Sequence, residues 1–311
     1  MPTTSIKSIR SSGGDYTTIT AWESAQQGDL VAADEVRVAE CYNDWGTSGL
    51  ADYLDFNGWT TDSTRYAIIR AATGEGHDGT EGTGFVWATA STPATRHAII
   101  RGTNKIQFDR IEFQDSGSYA PDYVIYDLNT GTVLIDNCLF RDCDKPLLAF
   151  GNNSIVRNSV FYDYASRIMS YATSTVTFYN CTIVNKTYTD TLLFRNGSYY
   201  NCVAYSAQTH TSGVWYSDCS GDYNAGSDTS APGANSIDSQ TTGDLDFVDY
   251  TNNDFHIEST STLVGAGFAY GGMAATDIDG DSWETSPAIG FDEPAAAPAG
   301  GSSQLTLLGV G

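Results

Sequence analysis

Three features of the sequence predict an all-β protein whose strands stack in parallel as a solenoid. The 311 residues include 31 Gly, 19 Tyr and 13 Phe but only 3 Met, so strand and turn formers outnumber helix formers. A segment centred on Asn recurs at intervals of 21 or 22 residues, which is typical of a solenoid repeat. Hairpin turn signals between the strand segments are missing, and this favours a right-handed parallel β-helix over a β-sandwich.

The first elements are a short helix and a strand that precede the regular repeats. Residues 21–27 are predicted to form a helix with Thr20 as its N-cap. The helix leads through Gly28 and Asp29 to a strand at residues 36–40. Because the open end of a solenoid has unpaired strand edges, we expect this helix to cap it.

The regular repeats occupy the middle of the chain. Four segments align without gaps on an Asn, and a looser copy at residues 107–113 precedes them. Two near-copies at residues 65–70 and 96–101 are expected to be strands of wider turns that carry long loops. One repeat cannot bury its own apolar face, so successive repeats must stack about 4.8 Å apart. Three columns of residues are predicted to point inward: Phe108, Ile135, Val156, Phe178 and Tyr199; Ile111, Cys138, Ser159, Cys181 and Cys202; and Phe113, Phe140, Phe161, Ile183 and Ala204.

Two polar columns are predicted to mark the bends between the two short strands of each repeat. Asn tolerates a left-handed backbone, and its amide can bond to the same position in the neighbouring turn. The first column therefore consists of Asn137, Asn158, Asn180 and Asn201. The second lies five residues later in each repeat and consists of Asp115, Asp142, Asp163, Asn185 and Ser206.

Both ends of this region resemble the caps of a known superfamily. Residues 14–22, GDYTTITAW, resemble the N-terminal capping segment of pectin-lyase-like right-handed β-helix proteins. Residues 253–257, NDFHI, resemble their last strand, and residues 276–281, TDIDGD, with residues 287–293, PAIGFDE, resemble their closing motif. The resemblance implies the fold over residues 14–293. The superfamily includes polysaccharide lyases and hydrolases, adhesins, and phage tailspikes and fibres, so the resemblance leaves the function open.

A change of composition after residue 293 divides the chain. Residues 1–293 are predicted to form the β-helix with its two caps, and residues 294–311 a flexible linker rich in Ala, Pro, Gly and Ser with an apolar end. We expect this end either to fray or to dock on a partner by adding a strand to a sheet edge. The residues predicted to mediate assembly are Leu305, Leu307, Leu308 and Val310.

The charge balance and the lack of long apolar runs exclude several partners. The chain has 38 acidic against 15 basic residues, a net charge of −23, and nucleic-acid binding would need clustered Lys and Arg. No apolar run reaches the roughly 18–20 residues of a membrane span. The N-terminus lacks the apolar stretch of a secretory signal. The six Cys have no metal-binding spacing, so we expect reduced thiols, synthesis in a cytoplasm, and a final location in a virion or outside a cell.

Polar residues of the middle turns are the catalytic candidates. If Asp136, Arg141, Asp142 and Asp163 converge on one outer face, they could serve as acid and base, or hold a Ca²⁺ ion that acidifies a uronate. The competing interpretation places Asp142 and Asp163 in the second bend column and Asp136 in an ion-pair ladder. The two interpretations predict different surroundings for the same carboxylates.

Two further groups of residues are candidate binding sites. Tyr162, Tyr179, Tyr200 and Tyr205 are predicted to face outward, where exposed rings bind sugars; loops that cover the sheet are the alternative. Asp277, Asp279 and Asp281 mimic the start of a calcium loop, which makes Ca²⁺ the candidate cofactor. Ala288 stands where the bidentate Glu of such a loop belongs, so a structural closing turn is the competing interpretation.

Two classes of function follow. The first is a structural or adhesive β-helix: a phage fibre, spike or capsid decoration, or an extracellular fibre subunit. Its partners would be further copies of the chain, other virion or fibre proteins and a surface glycan. The second is an extracellular polysaccharide lyase or glycoside hydrolase that acts on acidic glycans. The apolar outer columns, the unpaired Cys and the linker with its apolar end favour the first class.

Overall fold

Three stacked parallel sheets build the protein. The computed structural model describes residues 1–89, 97–102, 104–114, 123–128, 131–143, 145–148, 153–163, 169–170, 176–186, 197–208, 213–215 and 218–294. In these ranges the strands form sheets 1, 2 and 3, of nine, eight and five strands. Consecutive strands pass from one sheet to the next, and each pairs in parallel with the strand of the following turn. The all-β parallel solenoid predicted from the sequence is therefore confirmed.

Within each sheet the strands lie side by side in the order in which they occur along the chain. Sheet 1 contains Thr3–Ile9, Glu35–Cys41, Ala67–Ala71, Lys105–Asp109, Thr132–Asp136, Ile155–Arg157, Thr177–Tyr179, Gly197–Tyr200 and Cys219–Asp222. Sheet 2 contains Leu50–Asp52, Val86–Thr89, Glu112–Gln114, Leu139–Arg141, Val160–Tyr162, Thr182–Asn185, Val203–Ser206 and Ala225–Gly226. Sheet 3 contains Leu54–Phe56, Ala98–Ile100, Tyr123–Asp127, Lys145–Leu148 and Met169–Ser170. An antiparallel hairpin joins Phe247–Asp249 to Asp254–Ile257, and the described helices are Ile19–Gln26, Leu30–Ala33 and Thr242–Leu245, with 3₁₀ turns at Gly46–Ser48 and Tyr250–Asn252.

The register places the predicted inward columns inside the solenoid. Ile135 lies opposite Phe108 on one side and Val156 on the other, so equivalent residues of successive repeats stack directly. All fifteen predicted inward residues are buried. Cys138, Cys181 and Cys202 are among them and carry free thiols, as predicted. We call this stacked interior the inner core.

The Asn column forms left-handed bends, as predicted. Asn137, Asn158, Asn180 and Asn201 have φ between 48° and 54°, where the Asn side chain is tolerated better than most. The amide of Asn158 donates to Oδ1 of Asn137 at 3.2 Å, so the expected amide ladder exists at this step. The next two Asn amides instead donate to backbone carbonyls of the C-terminal segment that covers the bend, and the ladder ends there.

The N-terminal helix caps the solenoid, with a different N-cap from the predicted one. The helix begins at Ile19, and the Thr18 side chain accepts from the amide of Ala21 at 3.0 Å. Thr20 instead donates its hydroxyl to Asp52 at 2.7 Å, which ties the helix to sheet 2. Trp22 on this helix is fully buried against Trp59, with ring centroids 5.6 Å apart. The helix therefore covers the end of the inner core.

Sheet 3 differs from the prediction of two strands per repeat. Its strands lie between the Asn-centred motifs. The paired residues Ile125, Leu147 and Met169 keep a spacing of 22 residues, but no residue type recurs among these strands as Asn does at the bends. The two near-copies predicted as strands of wider turns lie in different sheets, at Ala67–Ala71 in sheet 1 and at Ala98–Ile100 in sheet 3. Their similarity reflects a shared need for apolar residues facing the interior, which a strand in any of the sheets satisfies.

A C-terminal segment, residues 242–293, packs on the outer face of sheet 2. We call it the closing segment. Leu139, Val160 and Val203 alternate with inward residues along their strands and so point outward, yet they are buried. They form a second apolar cluster, the outer core, with residues of the closing segment: Leu245, Phe247, Phe255, Ile257, Leu263, Ile278, Ala288, Ile289 and Phe291. A covering segment therefore accounts for these apolar outward columns.

Candidate functional site

Asp136 lies on sheet 1 and serves in an ion pair between turns. It is 5% exposed, and Arg157 of the next turn donates to both of its carboxylate oxygens. Arg157 also donates to the carbonyls of Gly272 and Met273, so the pair anchors the closing segment. Its place in an ion-pair ladder supports the structural interpretation of Asp136.

Arg141 lies at the end of a sheet 2 strand, among carboxylates. Its guanidinium contacts Glu112, which is fully buried, and lies 3.1 Å from both Glu81 and Asp142. Burial raises the pKa of Glu112 although the guanidinium opposes this. Tyr162 donates to Glu81 at 2.9 Å, which completes the network. Glu81 and Arg141 of this network border a cleft of about 530 Å³, which Asn43, Val86 and Asn252 also line.

The sequence did not point to Glu81 or Glu112. A signal for Glu112 existed, since it occupies the outward position that holds Leu139 and Val160 in the following turns. A carboxylate in an apolar column needs a buried partner, and Arg141 is that partner. Glu81 belongs to a loop outside the repeats, so no column could have revealed it.

Asp142 and Asp163 are bend residues, as the competing interpretation predicted. Their φ values are 55° and 49°, both left-handed. Asp142 is exposed and paired with Arg141, whereas burial raises the pKa of Asp163. The four catalytic candidates are therefore split between sheet 1, which carries Asp136, and the end of sheet 2, which carries the other three. Three carboxylates already pair with the guanidinium of Arg141.

Two of the four predicted sugar-binding tyrosines are in different surroundings from those expected. Tyr162 faces outward as predicted but is 1% exposed beneath the closing segment, where it packs on Phe255, so the alternative of a covered sheet holds for this ring. Tyr205 packs edge-on against Tyr250 of a 3₁₀ turn at 5.7 Å. Both are overlain by parts of the chain that the repeat pattern does not include.

Tyr179 and Tyr200 belong to a larger aromatic surface. Their rings stack across neighbouring turns of sheet 1 with centroids 5.5 Å apart. Tyr270 of the closing segment lies 4.6 Å from Tyr200, and Phe268 lies 5.1 Å from Tyr270. Tyr223 stacks on Phe268 at 5.4 Å. We call these five residues the aromatic patch; Phe268 is 50% exposed, and the four tyrosines are partly exposed.

The three predicted calcium ligands have separate roles. Asp277 is fully buried and accepts backbone N–H groups of Asp279, Asp281 and Glu293 on its two oxygens, so it closes the turn. Among the described residues, the ligand atoms that converge within 4.8 Å are those of His256, Asp279 and Asp292, so only Asp279 of the predicted set takes part.

The predicted assembly residues Leu305, Leu307, Leu308 and Val310 lie outside the described residues. Within the described ranges, none of the helices has the length and apolar character needed to cross a bilayer. The predicted docking role of the C-terminal end therefore stays a prediction.

Comparison with known proteins identifies the fold family. The family model described as right handed beta helix region matches residues 96–259, more than half of the chain. Comparison with curated proteins gives no match. The matched region contains the regular repeats, the bends and the hairpin described above. The chain therefore belongs to the right-handed β-helix family.

Proposed function

We propose that this chain is a structural or adhesive β-helix that binds a surface glycan through the aromatic patch, as a fibre, spike or decoration subunit of a virion or extracellular fibre. The aromatic patch carries the proposal. Its rings come from three adjacent turns of sheet 1 and from the closing segment, so they form a continuous surface rather than scattered exposed residues. A contiguous aromatic surface that stays partly exposed on a folded chain is typical of a binding site.

The chemistry of the patch favours a neutral glycan. Sugar rings present apolar C–H faces that stack on aromatic rings, and tyrosine hydroxyls add hydrogen bonds at the rim. The chain carries a net charge of −23, and Asp222 lies next to Tyr223, so an acidic glycan would meet repulsion. Neutral or amino sugars fit this surface better than uronates.

The alternative of a lyase or hydrolase acting on acidic glycans has weaker support. Its candidate residues are either separated by sheets or engaged in ion pairs, and the guanidinium of Arg141 is already paired with three carboxylates. An anionic substrate would have to displace these carboxylates to reach Arg141. The patch has no such competition.

The proposal is tested on a printed array of neutral and acidic oligosaccharides, followed by calorimetry with the best ligand. We expect neutral glycans to bind, and Tyr200→Ala and Tyr270→Ala to weaken binding by about tenfold or more through lost stacking. Tyr42→Ala is the matched control, because Tyr42 lies under Arg10 in the first turn, outside the patch. Equal loss in all three variants, or no binding on the array, would overturn the glycan site.

Two further readouts separate the parts of the proposal. Release of unsaturated or reducing ends from an acidic glycan, abolished by Asp142→Ala, would support the enzyme alternative instead. Deleting residues 294–311 tests assembly: the chain should stay folded but lose its association with particles or fibres. Unchanged association would remove the docking role of this end.

A further inference from the structure

A second cleft, of about 300 Å³, lies between the hairpin and the end of the closing segment, away from the aromatic patch. Its walls include His256 and Glu258 of the hairpin side and Asp279, Asp281 and Asp292 of the closing turn. Both of these parts of the chain, the hairpin and the closing turn, lie outside the repeats.

Three possible ligand atoms meet in this cleft. One atom each of His256, Asp279 and Asp292 lies within 4.8 Å of the other two, and Nε2 of His256 is 3.6 Å from Oδ2 of Asp279. That distance is too long for a hydrogen bond but suits two ligands of one ion. The three side chains come from different strands and turns, so they do not form a single acidic run.

The orientation of His256 is fixed by a neighbouring carboxylate. Nδ1 lies 2.6 Å from Oδ1 of Asp254. A carboxylate only accepts, so Nδ1 carries a proton and donates, and in the neutral form of the ring Nε2 then holds the free lone pair. Carboxylate–histidine pairs of this kind orient metal-binding imidazoles.

The free nitrogen is enclosed without a partner. Nε2 of His256 is a fully buried atom, and none of the described residues forms a hydrogen bond to it. Gly79, with φ 100°, allows a loop of an early turn to close over the ring: a Cβ there would lie 2.6 Å from the imidazole. A buried acceptor that faces two carboxylates is unfavourable unless a proton or a cation lies between them.

Asp292 supplies the second independent sign of a missing ligand. It is 4% exposed, and its Oδ2 accepts from the amide of Ile257 at 2.7 Å. Among the described residues no donor contacts the other oxygen, and Asp292 is one of the residues that line the cleft.

We propose that His256, Asp279 and Asp292 bind a divalent transition-metal ion of the Zn²⁺ class, with the open side of the cleft as its fourth position. Ca²⁺ takes oxygen ligands, about six to eight of them, whereas a set of one imidazole and two carboxylates suits Zn²⁺. The ion joins the hairpin to the closing turn and so fastens the segment that covers sheet 2. This role is separate from glycan binding.

The test is calorimetry of the chelator-treated, dialysed full chain with ZnCl₂, and separately with CaCl₂. We expect one Zn²⁺ per chain and a rise in melting temperature with Zn²⁺ that exceeds the rise with Ca²⁺. His256→Ala should weaken Zn²⁺ binding by on the order of 100-fold, and Asp254→Asn by about tenfold, because it only orients the ring. Asp281→Asn, a residue of the same cleft outside the ligand set, is the matched control and should bind as the parent does.

A measurement on the unmodified chain guards against variants that fail to fold. Crystals soaked in ZnCl₂ should give an anomalous difference peak at the Zn edge between the three side chains. A peak elsewhere, tighter binding of Ca²⁺ than of Zn²⁺, or Zn²⁺ affinity unchanged in His256→Ala would overturn the proposal. If no ion binds at all, an imidazolium paired with the two carboxylates is the correct account.

Discussion

The inner and outer cores bury similar residues but are built in different ways. In the inner core, Phe113, Phe140 and Phe161 come from consecutive turns and stack with centroids 4.8 and 4.6 Å apart. In the outer core, Phe255 packs on Tyr162, more than ninety residues away in the sequence. Parallel pairing fixes the distance between turns, so the inner core must repeat; a single segment laid across the sheet has no such constraint.

This difference explains why an apolar outward column can indicate either an exposed interface or a face that the same chain covers. Leu139, Val160 and Val203 recur with the same period as the inner columns, so the sequence presents them as a stripe on the surface. The residues that cover the stripe, such as Leu263 and Ile289, follow no period. A periodic apolar stripe on a solenoid therefore indicates a covered face, and the cover can belong to the same chain.

The largest effect is expected in the inner core. Phe140→Ala should lower the free energy of unfolding by about 3–5 kcal/mol, because the cavity opens in the middle of a ring stack held from both sides. Urea unfolding measures the loss. The control is Phe268→Ala, which removes a ring that is 50% exposed and should lower the free energy of unfolding by less than about 1 kcal/mol. A cost for Phe140→Ala no larger than that of the control would mean that the stack does not stabilise the fold.

The fold was predictable from the sequence as far as the repeat reaches. Each inward column is read from equivalent positions, and the left-handed bends follow from Asn at one of them. Sheet 3 and the N-cap at Thr18 were not predictable in this way. The sheet 3 strands keep the period but share no recurring residue type that would mark them. A choice between Thr18 and Thr20 depends on whether Asp52 of sheet 2 is near.

The candidate sites show the same difference between residues inside the repeats, which were predictable, and residues outside them, which were not. Tyr179 and Tyr200 lie in the repeats and were found, whereas Phe268 and Tyr270, which complete the aromatic patch, come from the closing segment. Likewise His256 meets Asp292 only because the hairpin and the closing turn pack together. Sequence motifs near these residues were visible, but their convergence depends on tertiary packing that no repeat encodes.

An outer-core substitution should act locally. Ile289→Ala removes a fully buried side chain and should cost about 3 kcal/mol. Hydrogen exchange should accelerate at amides that hold the closing segment, such as that of Ile289, which donates to Leu263, and that of Gly290, which donates to Asn201. Amides around Phe140 should keep their protection, because the solenoid interior remains paired. Uniform acceleration in both cores would show that they unfold as one unit.

The smallest effect is expected where the two cores meet. Asn158 has φ 48°, and its amide donates both to Asn137 and, at 2.6 Å, to the carbonyl of Thr276 in the closing segment. Asn158→Gly keeps the left-handed bend but loses these hydrogen bonds, which should lower the free energy of unfolding by about 1 kcal/mol. Asn158→Ala also places a Cβ in the left-handed bend, which should cost about 1 kcal/mol more. Thermal unfolding of both variants measures the difference. If the Ala and Gly variants lose the same free energy of unfolding, the left-handed backbone does not select Asn in this column. The amide contacts of Asn alone then account for its presence.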